Sequence, residues 1–199
     1  MVDIPSFATV GNFYIQDSGR STEWHYVPNI TNARFEDQNG DNICWAAVAS
    51  FITEIYQIPT AAGMTQDEVV FFHLRELRDK AARLTGVFFN LDLADLLYDG
   101  DDLSDPDKIT EMQQAIVAGN PLGIHISWKG LDVGHAICAF GTGTLQGEPA
   151  FAIYDPNPNG DPDNRFEVPI SALNHYIEGV DSGQIGHWEY ALSCRRPMP

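Results

Sequence analysis

Cys44 and His135 are the two residues of this sequence best placed to do covalent chemistry together. Cys44 stands where a polar stretch rich in Asn and Asp gives way to the apolar run Ile43 to Tyr56, so it falls in the first turn of a buried helix. Free backbone N–H groups and the positive end of the macrodipole gather at that end. Both favour thiolate over thiol and lower the pKa, which makes a nucleophile that works near neutral pH. Asp41 opposes the effect if its carboxylate points at the sulfur. Standing alone, a cysteine in such a position is more often a small apolar core residue.

Six histidines compete for the role of general base: His25, His73, His125, His135, His175 and His187. His135 follows Gly134 and opens the apolar run Ala136 to Phe140, where a strand would hold its imidazole rigidly. A single histidine on an apolar strand is otherwise a common core residue. A base also needs a third group to fix its tautomer and orientation. Tyr154-Asp155-Pro156-Asn157 closes the next predicted strand, and an antiparallel neighbour would bring that end back to the imidazole. Asp155 is therefore the first choice, unless Asp155-Pro156 is only a turn. Cys138, three positions after His135, would face the other side of the strand and belong to the core. His125 reads as structural, and Trp188 is a candidate to roof the His–Asp pair.

These groups have to be positioned by a mixed set of elements. Residues 7–15 and 22–28 read as short strands or extended arms, and residues 29–42 as a loop. The buried helix over 43–56 has Asn42 as its N-cap and Pro59 beyond its end. Thr65-Gln66-Asp67-Glu68 has capping-box form and predicts a helix that ends near Leu84, before Gly86. Residues 91–98 read as a short helix. Asp105-Pro106 opens another helix, stopped by Gly119-Asn120-Pro121. Beyond it the period shifts towards two, and strands are predicted at 122–128, 135–140, 150–154, 165–169 and 187–192. Gly130, Gly134, Gly141, Gly143, Gly147 and the stretch 156–162 supply the turns. Helices first and antiparallel strands after give an α+β class. The expected organisation is one domain over 1–199, with an arm (1–37), a helical half (38–119) and a β half (120–199).

Composition sets limits on partners. The chain has 199 residues and a formal net charge of -17, which works against binding nucleic acid or an anionic membrane. No run of 18 or more apolar residues occurs, and the start lacks the pattern of a signal peptide. The expected location is cytoplasmic, or outside by an export route that uses no N-terminal signal. Three cysteines with no CxxC, no HExxH and an acidic run (Asp99 to Asp107) without EF-hand spacing predict no metal and no cofactor.

Gln38 lies six positions before Cys44, and Trp45 follows it directly. Gln38-Asn39-Gly40-Asp41-Asn42-Ile43-Cys44-Trp45, with Gly134-His135-Ala136 downstream, resembles the papain-like clan of cysteine peptidases. Cys44-Trp45-Ala46-Ala47 departs from the papain core and is more similar to bacterial branches of the clan, among them bacteriocin-processing peptidases. The likeness covers roughly 38–56 and 120–156. It implies a papain-like fold in which a buried active-site helix packs on the antiparallel sheet. It also implies a Cys44–His135–Asp155 triad, with Asn157 as fallback for Asp155, and an oxyanion hole made by Gln38 and the Cys44 N–H. Trp45 and Gly134 would line the cleft, with Gly134 keeping it open, and the substrate would be a protein or peptide. Only 37 residues precede Gln38, so no long inhibitory pro-segment is expected. The same triad serves deamidases, acyltransferases and peptidoglycan amidases, and a dead version would be a binding module.

Overall fold

A computed structural model describes residues 24–38, 43–56, Gln66, 94–99, 104–130, 134–156, 164–173, 176–178 and 184–194. The predicted helix from Thr65 lies outside these residues except for Gln66, which is helical and buried. The arm 7–15, Asp41, Asn42, Pro59 and Asn157 also lie outside.

The apolar run predicted as a buried helix forms α1 (Cys44–Tyr56), and every residue from Ala46 to Tyr56 is buried. A helix apolar around its whole circumference must be enclosed on all sides. Its one acid, Glu54, is enclosed too, against Arg34 at 2.5 Å. The second helix, α2 (Pro106–Val117), starts where Asp105-Pro106 placed it. Asp105 Oδ1 accepts from the Asp107 N–H at 2.9 Å, and proline occupies the first turn, where its missing donor costs nothing. Gly119, at φ 93, ends it in the left-handed conformation that glycine adopts without strain.

Eight antiparallel strands are found among the described residues: β1 (His25–Tyr26), β2 (Ala94–Asp99), β3 (Leu122–Trp128), β4 (Gly134–Leu145), β5 (Glu148–Tyr154), β6 (Arg165–Pro169), β7 (Tyr176–Glu178) and β8 (Gln184–Cys194). A short helix, α3 (Ile170–Leu173), follows β6. The main order is β2-β8-β3-β4-β5-β6, with β1 paired to β4 and β7 to β8. The run β3 to β6 is thus a meander, and β8 returns to pair with β3 on its other side. The α+β class stands, with helices set against an antiparallel sheet.

Three local expectations are corrected. Residues 91–98 were expected to form a helix, but Ala94–Asp99 is a strand on β8. The register jumps between Leu96 and Tyr98, so Leu97 is an extra residue that breaks the two-residue alternation. The helical half therefore contributes a strand to the sheet, and helices do not simply precede strands. Second, Gly134, Gly141 and Gly143 are not turns but lie within β4. A β-carbon on Gly141 would come within 2.5 Å of the Tyr26 ring, and one on Gly143 within 2.6 Å of Trp24, so these glycines admit the aromatic side chains of the N-terminal arm. The turn after β4 is made by Gln146 and Gly147, both at positive φ (53 and 89), as a two-residue hairpin demands. Third, β8 begins at Gln184, three residues before the predicted start.

Ring contacts show how α1 sits on the sheet. Phe51 of α1 packs on Tyr154 with centroids 4.4 Å apart and on Phe140 at 5.9 Å. No helix among the described residues is long and apolar enough to cross a membrane.

Candidate active site

The first residue of α1 meets the first residues of β4. Cys44 Sγ accepts a hydrogen bond from the Ala136 backbone N–H at 3.3 Å, and the neighbouring imidazole of His135 bonds to the same thiol. Sequence-distant elements are brought together here because α1 lies along β4 with its N-terminus at the strand's start. The other side of the imidazole is fixed by β5. Cys138 opposes Tyr154 in the β4–β5 ladder, so the end of β5 runs back past His135. Asp155, one residue further, places Oδ1 2.6 Å from His135 Nε2. With Nε2 engaged by the carboxylate, Nδ1 is the nitrogen left for the sulfur.

Burial and charge act against each other at these groups. Burial pushes the Cys44 thiol up, yet the hydrogen bond and positive charge of His135, with the N–H groups of Ala136 and Trp45, outweigh it and hold the thiol below its ordinary value. For His135 burial pushes down, but the Asp155 carboxylate, by charge and by hydrogen bond, and then Cys44 raise it to about 10. Both shifts favour a thiolate beside an imidazolium, and the two protons titrate as a pair. The other sulfurs show what burial does unopposed. The buried Cys138 thiol is pushed well up, and burial raises Cys194 to about 11. All three cysteines are free.

His135 is roofed by an aromatic ring, but that ring is not the expected one. Trp128, at the end of β3, stacks on the imidazole with centroids 5.9 Å apart and planes 18° off parallel. Trp188 is fully buried and packs edge-on against Phe151 at 5.8 Å. The β3–β4 register could have found Trp128: His135 opposes Ile126, and Trp128 is two residues on, facing the same side.

At Gly134 the space a side chain would need is already taken. A β-carbon there would collide with the His125 imidazole and lie 2.7 Å from the Ile126 carbonyl oxygen. His125 in turn holds Glu189 of β8 through Nδ1 at 2.7 Å. Glycine at 134 thus gives room for a second histidine–carboxylate pair, on the face of the sheet opposite the first.

Gln38 is held through its backbone. Its backbone N–H donates to the Pro156 carbonyl at 2.7 Å, which ties it to the chain just past Asp155. Its side-chain Oε1 is buried and makes no hydrogen bond. The amide is therefore not locked through its oxygen, and a half-turn about the last torsion would present its N–H groups instead. Trp45 is half-buried next to Cys44. The first backbone N–H groups of α1 have no partner inside the helix, apart from those that turn to the thiol or to Ile43 O. Among the described residues, no group of three or more His, Cys, Asp or Glu could hold a metal ion.

No protein-family model matches the chain, and no curated protein matches it.

Proposed function

We propose that the chain is a papain-like cysteine peptidase that hydrolyses a peptide bond in a protein or peptide substrate. The observation that carries this reading is the unbroken chain from a lowered thiol through a raised, buried imidazole to a buried carboxylate: Cys44, His135, Asp155.

The chemistry follows from the protonation states. The Cys44 thiolate attacks the carbonyl carbon, a C–S bond forms, and the carbonyl π pair moves to oxygen. The Cys44 N–H and the Gln38 amide are the donors for that oxyanion. As the intermediate collapses, the C–N bond breaks and His135 gives its Nδ1 proton to the leaving amine. The neutral imidazole then takes a proton from water as the water oxygen attacks the thioester. Collapse of the second intermediate expels the thiolate, releases the acid and restores the ion pair. Asp155 holds Nε2–H throughout, so Nδ1 stays aimed at the sulfur and the imidazolium keeps a counter-charge. Trp128 over the ring limits water at the pair and strengthens its electrostatics.

Intact mass spectrometry tests the nucleophile, because Cys138 and Cys194 are internal controls. Brief exposure to iodoacetamide at pH 6.5 is expected to add one label at Cys44, and His135→Ala to abolish that selectivity. Labelling at Cys44 no faster than at Cys194, and indifferent to His135, would overturn the reading. Incubation with a denatured protein then separates substrates: a peptidase leaves new α-amino ends, whereas ammonia release without new ends means a side-chain amide is attacked.

A further inference from the structure

The donor assigned to the oxyanion is carried by no helix or strand. Gln38 ends the extended strap 34–38, whose backbone is held in an unusual way. Each carbonyl from Phe35 to Asp37 is taken by a side chain from a distant part of the chain. Asn164 Nδ2 donates to Phe35 O at 3.0 Å and to Asp37 Oδ1 at 3.3 Å. The Tyr154 hydroxyl donates to Glu36 O at 2.5 Å, and Gln66 Nε2 to Asp37 O at 2.7 Å. All three donors come from buried residues. Loops on a protein surface usually leave such carbonyls to water. Burying three polar side chains to replace that water gains little net stability, since the bonds mainly offset desolvation. What the arrangement does gain is a fixed position for the residue at the strap's end.

Asn164 has a further contact that the other two lack. Its backbone carbonyl accepts from the Asp155 N–H at 2.9 Å. One residue thus steadies the orienting carboxylate through its main chain and the Gln38 strap through its side chain. Resting on the nucleophile–base reading above, we infer that Asn164 is a positioning residue whose side-chain amide aims Gln38 at the reacting oxygen.

The two halves of Asn164 can be separated. Asn164→Ala removes the amide that holds the strap and keeps the carbonyl that holds Asp155. Iodoacetamide alkylates sulfur by displacing iodide and develops no oxyanion. The aldehyde N-acetylglycinal adds the thiolate to its carbonyl, and the resulting hemithioacetal oxygen occupies the oxyanion position. Asn164→Ala is expected to weaken aldehyde binding by about tenfold, on the scale of a misaligned donor. The iodoacetamide rate at Cys44 and its pH profile stay as in the wild type. Gln38→Ala weakens aldehyde binding as well, and Gln38→Ala/Asn164→Ala is no worse than Gln38→Ala, because both act through one donor. Unchanged aldehyde affinity in Asn164→Ala, or losses that add in the double variant, would overturn the inference. If circular dichroism shows that Asn164→Ala does not fold, Asn164→Asp carries the same test by replacing the donor amide with a carboxylate of the same size, which cannot donate to Phe35 O and repels Asp37. Slow iodoacetamide labelling of wild-type Cys44 would sink the nucleophile–base reading and the role of Asn164 with it. That result is read before any aldehyde is added, so the two failures are distinguishable.

Discussion

Two histidine–carboxylate pairs stand on neighbouring strands, on opposite faces of the sheet, since His125 opposes Ala136 and His135 opposes Ile126. His135 on β4 meets Asp155 at 2.6 Å, and His125 on β3 meets Glu189 at 2.7 Å. Distance does not tell them apart, but surroundings do. The side chains of the first pair are 5% and 3% exposed, those of the second 28% and 40%. In the first pair the carboxylate acts across little water, and the imidazole has a sulfur on its other side. In the second, solvent screens the interaction, and pairs of that kind contribute little. A histidine near a carboxylate is therefore a weak sign of catalysis. Burial together with an ionisable partner beyond the imidazole is the stronger one.

The largest break in this comparison comes from deleting each imidazole. Without His135, Cys44 loses the imidazole hydrogen bond and its counter-charge, and burial, opposed only by the N–H groups of Ala136 and Trp45, pushes its thiol upward. Even at an ordinary thiol pKa, the thiolate fraction at pH 6.5 is only about one in a hundred. His135→Ala should thus slow iodoacetamide alkylation at that pH by about a hundredfold or more, while His125→Ala stays within about twofold. Equal effects would mean that the second pair also reaches the sulfur. Next in size is the removal of each carboxylate's charge. Asp155→Asn removes the main force that raises His135, so the alkaline limb of the proposed hydrolysis, set by loss of the imidazolium proton at about 10, should move to lower pH. The rate of Cys44 alkylation at pH 6.5 should fall by about tenfold as the imidazolium weakens. Glu189→Gln should move neither, and a pH–rate profile of each variant checks both.

Much of this site is legible in the sequence because its signals are local. The apolar run behind Cys44, the proline after Asp105 and the alternation in Leu122–Trp128 each follow from neighbouring residues. Gln38, Cys44 and Trp45 form a short pattern, and the end of β5 delivers Asp155 to His135 through ordinary strand pairing. What was not legible depends on contacts between distant residues or on irregular register. The extra residue in β2 hid a strand behind a helix-like spacing. Trp128 is singled out from Trp188 as the roof only by the sheet order, in which β3 pairs with the strand of His135 and β8 lies one strand further off. Asn164 sits among Gly, Pro and Asp residues with nothing local to mark it, and its role exists only because β6 lies beside β5 and the strap. The glycine before His135 stands out in the sequence, but the close approach of the His125 imidazole to it needs the β3–β4 register.

That glycine joins the two pairs, so its substitution is the sharper mechanical probe. A methyl group in Gly134→Ala must push aside the His125 ring and the Ile126 carbonyl. The first can swing away, and the second belongs to a central strand. Overpacking of this kind costs about 1–3 kcal/mol, read as a lower denaturation midpoint. Adding His125→Ala should recover part of the loss and not all of it, because the carbonyl contact at 2.7 Å remains. Full recovery would place the whole strain on the ring.

The smallest effect should be on stability against pH, read through the buried pair. His135 is raised from 6.5 in the unfolded chain to about 10 in the fold, so between those values the native state holds a proton that the unfolded state has lost. Stability from this group is complete below 6.5 and declines as pH rises through the folded value. The Cys44 thiol, lowered in the fold, contributes with the opposite sign: its share is present above the ordinary thiol value of 9.0 and lost as pH falls. Cys44→Ala removes that opposing share and leaves Asp155 as the cause of the His135 shift. Urea denaturation of Cys44→Ala should therefore show stability falling from pH 6.5 upward, and flattening before about 10 because the sulfur no longer adds to the shift. Introducing Asp155→Asn into that background should remove most of the slope, because Asp155 is the main cause of the His135 shift. A slope that survives Asp155→Asn would mean that another group binds the proton, and would take from Asp155 the role of holding His135 charged.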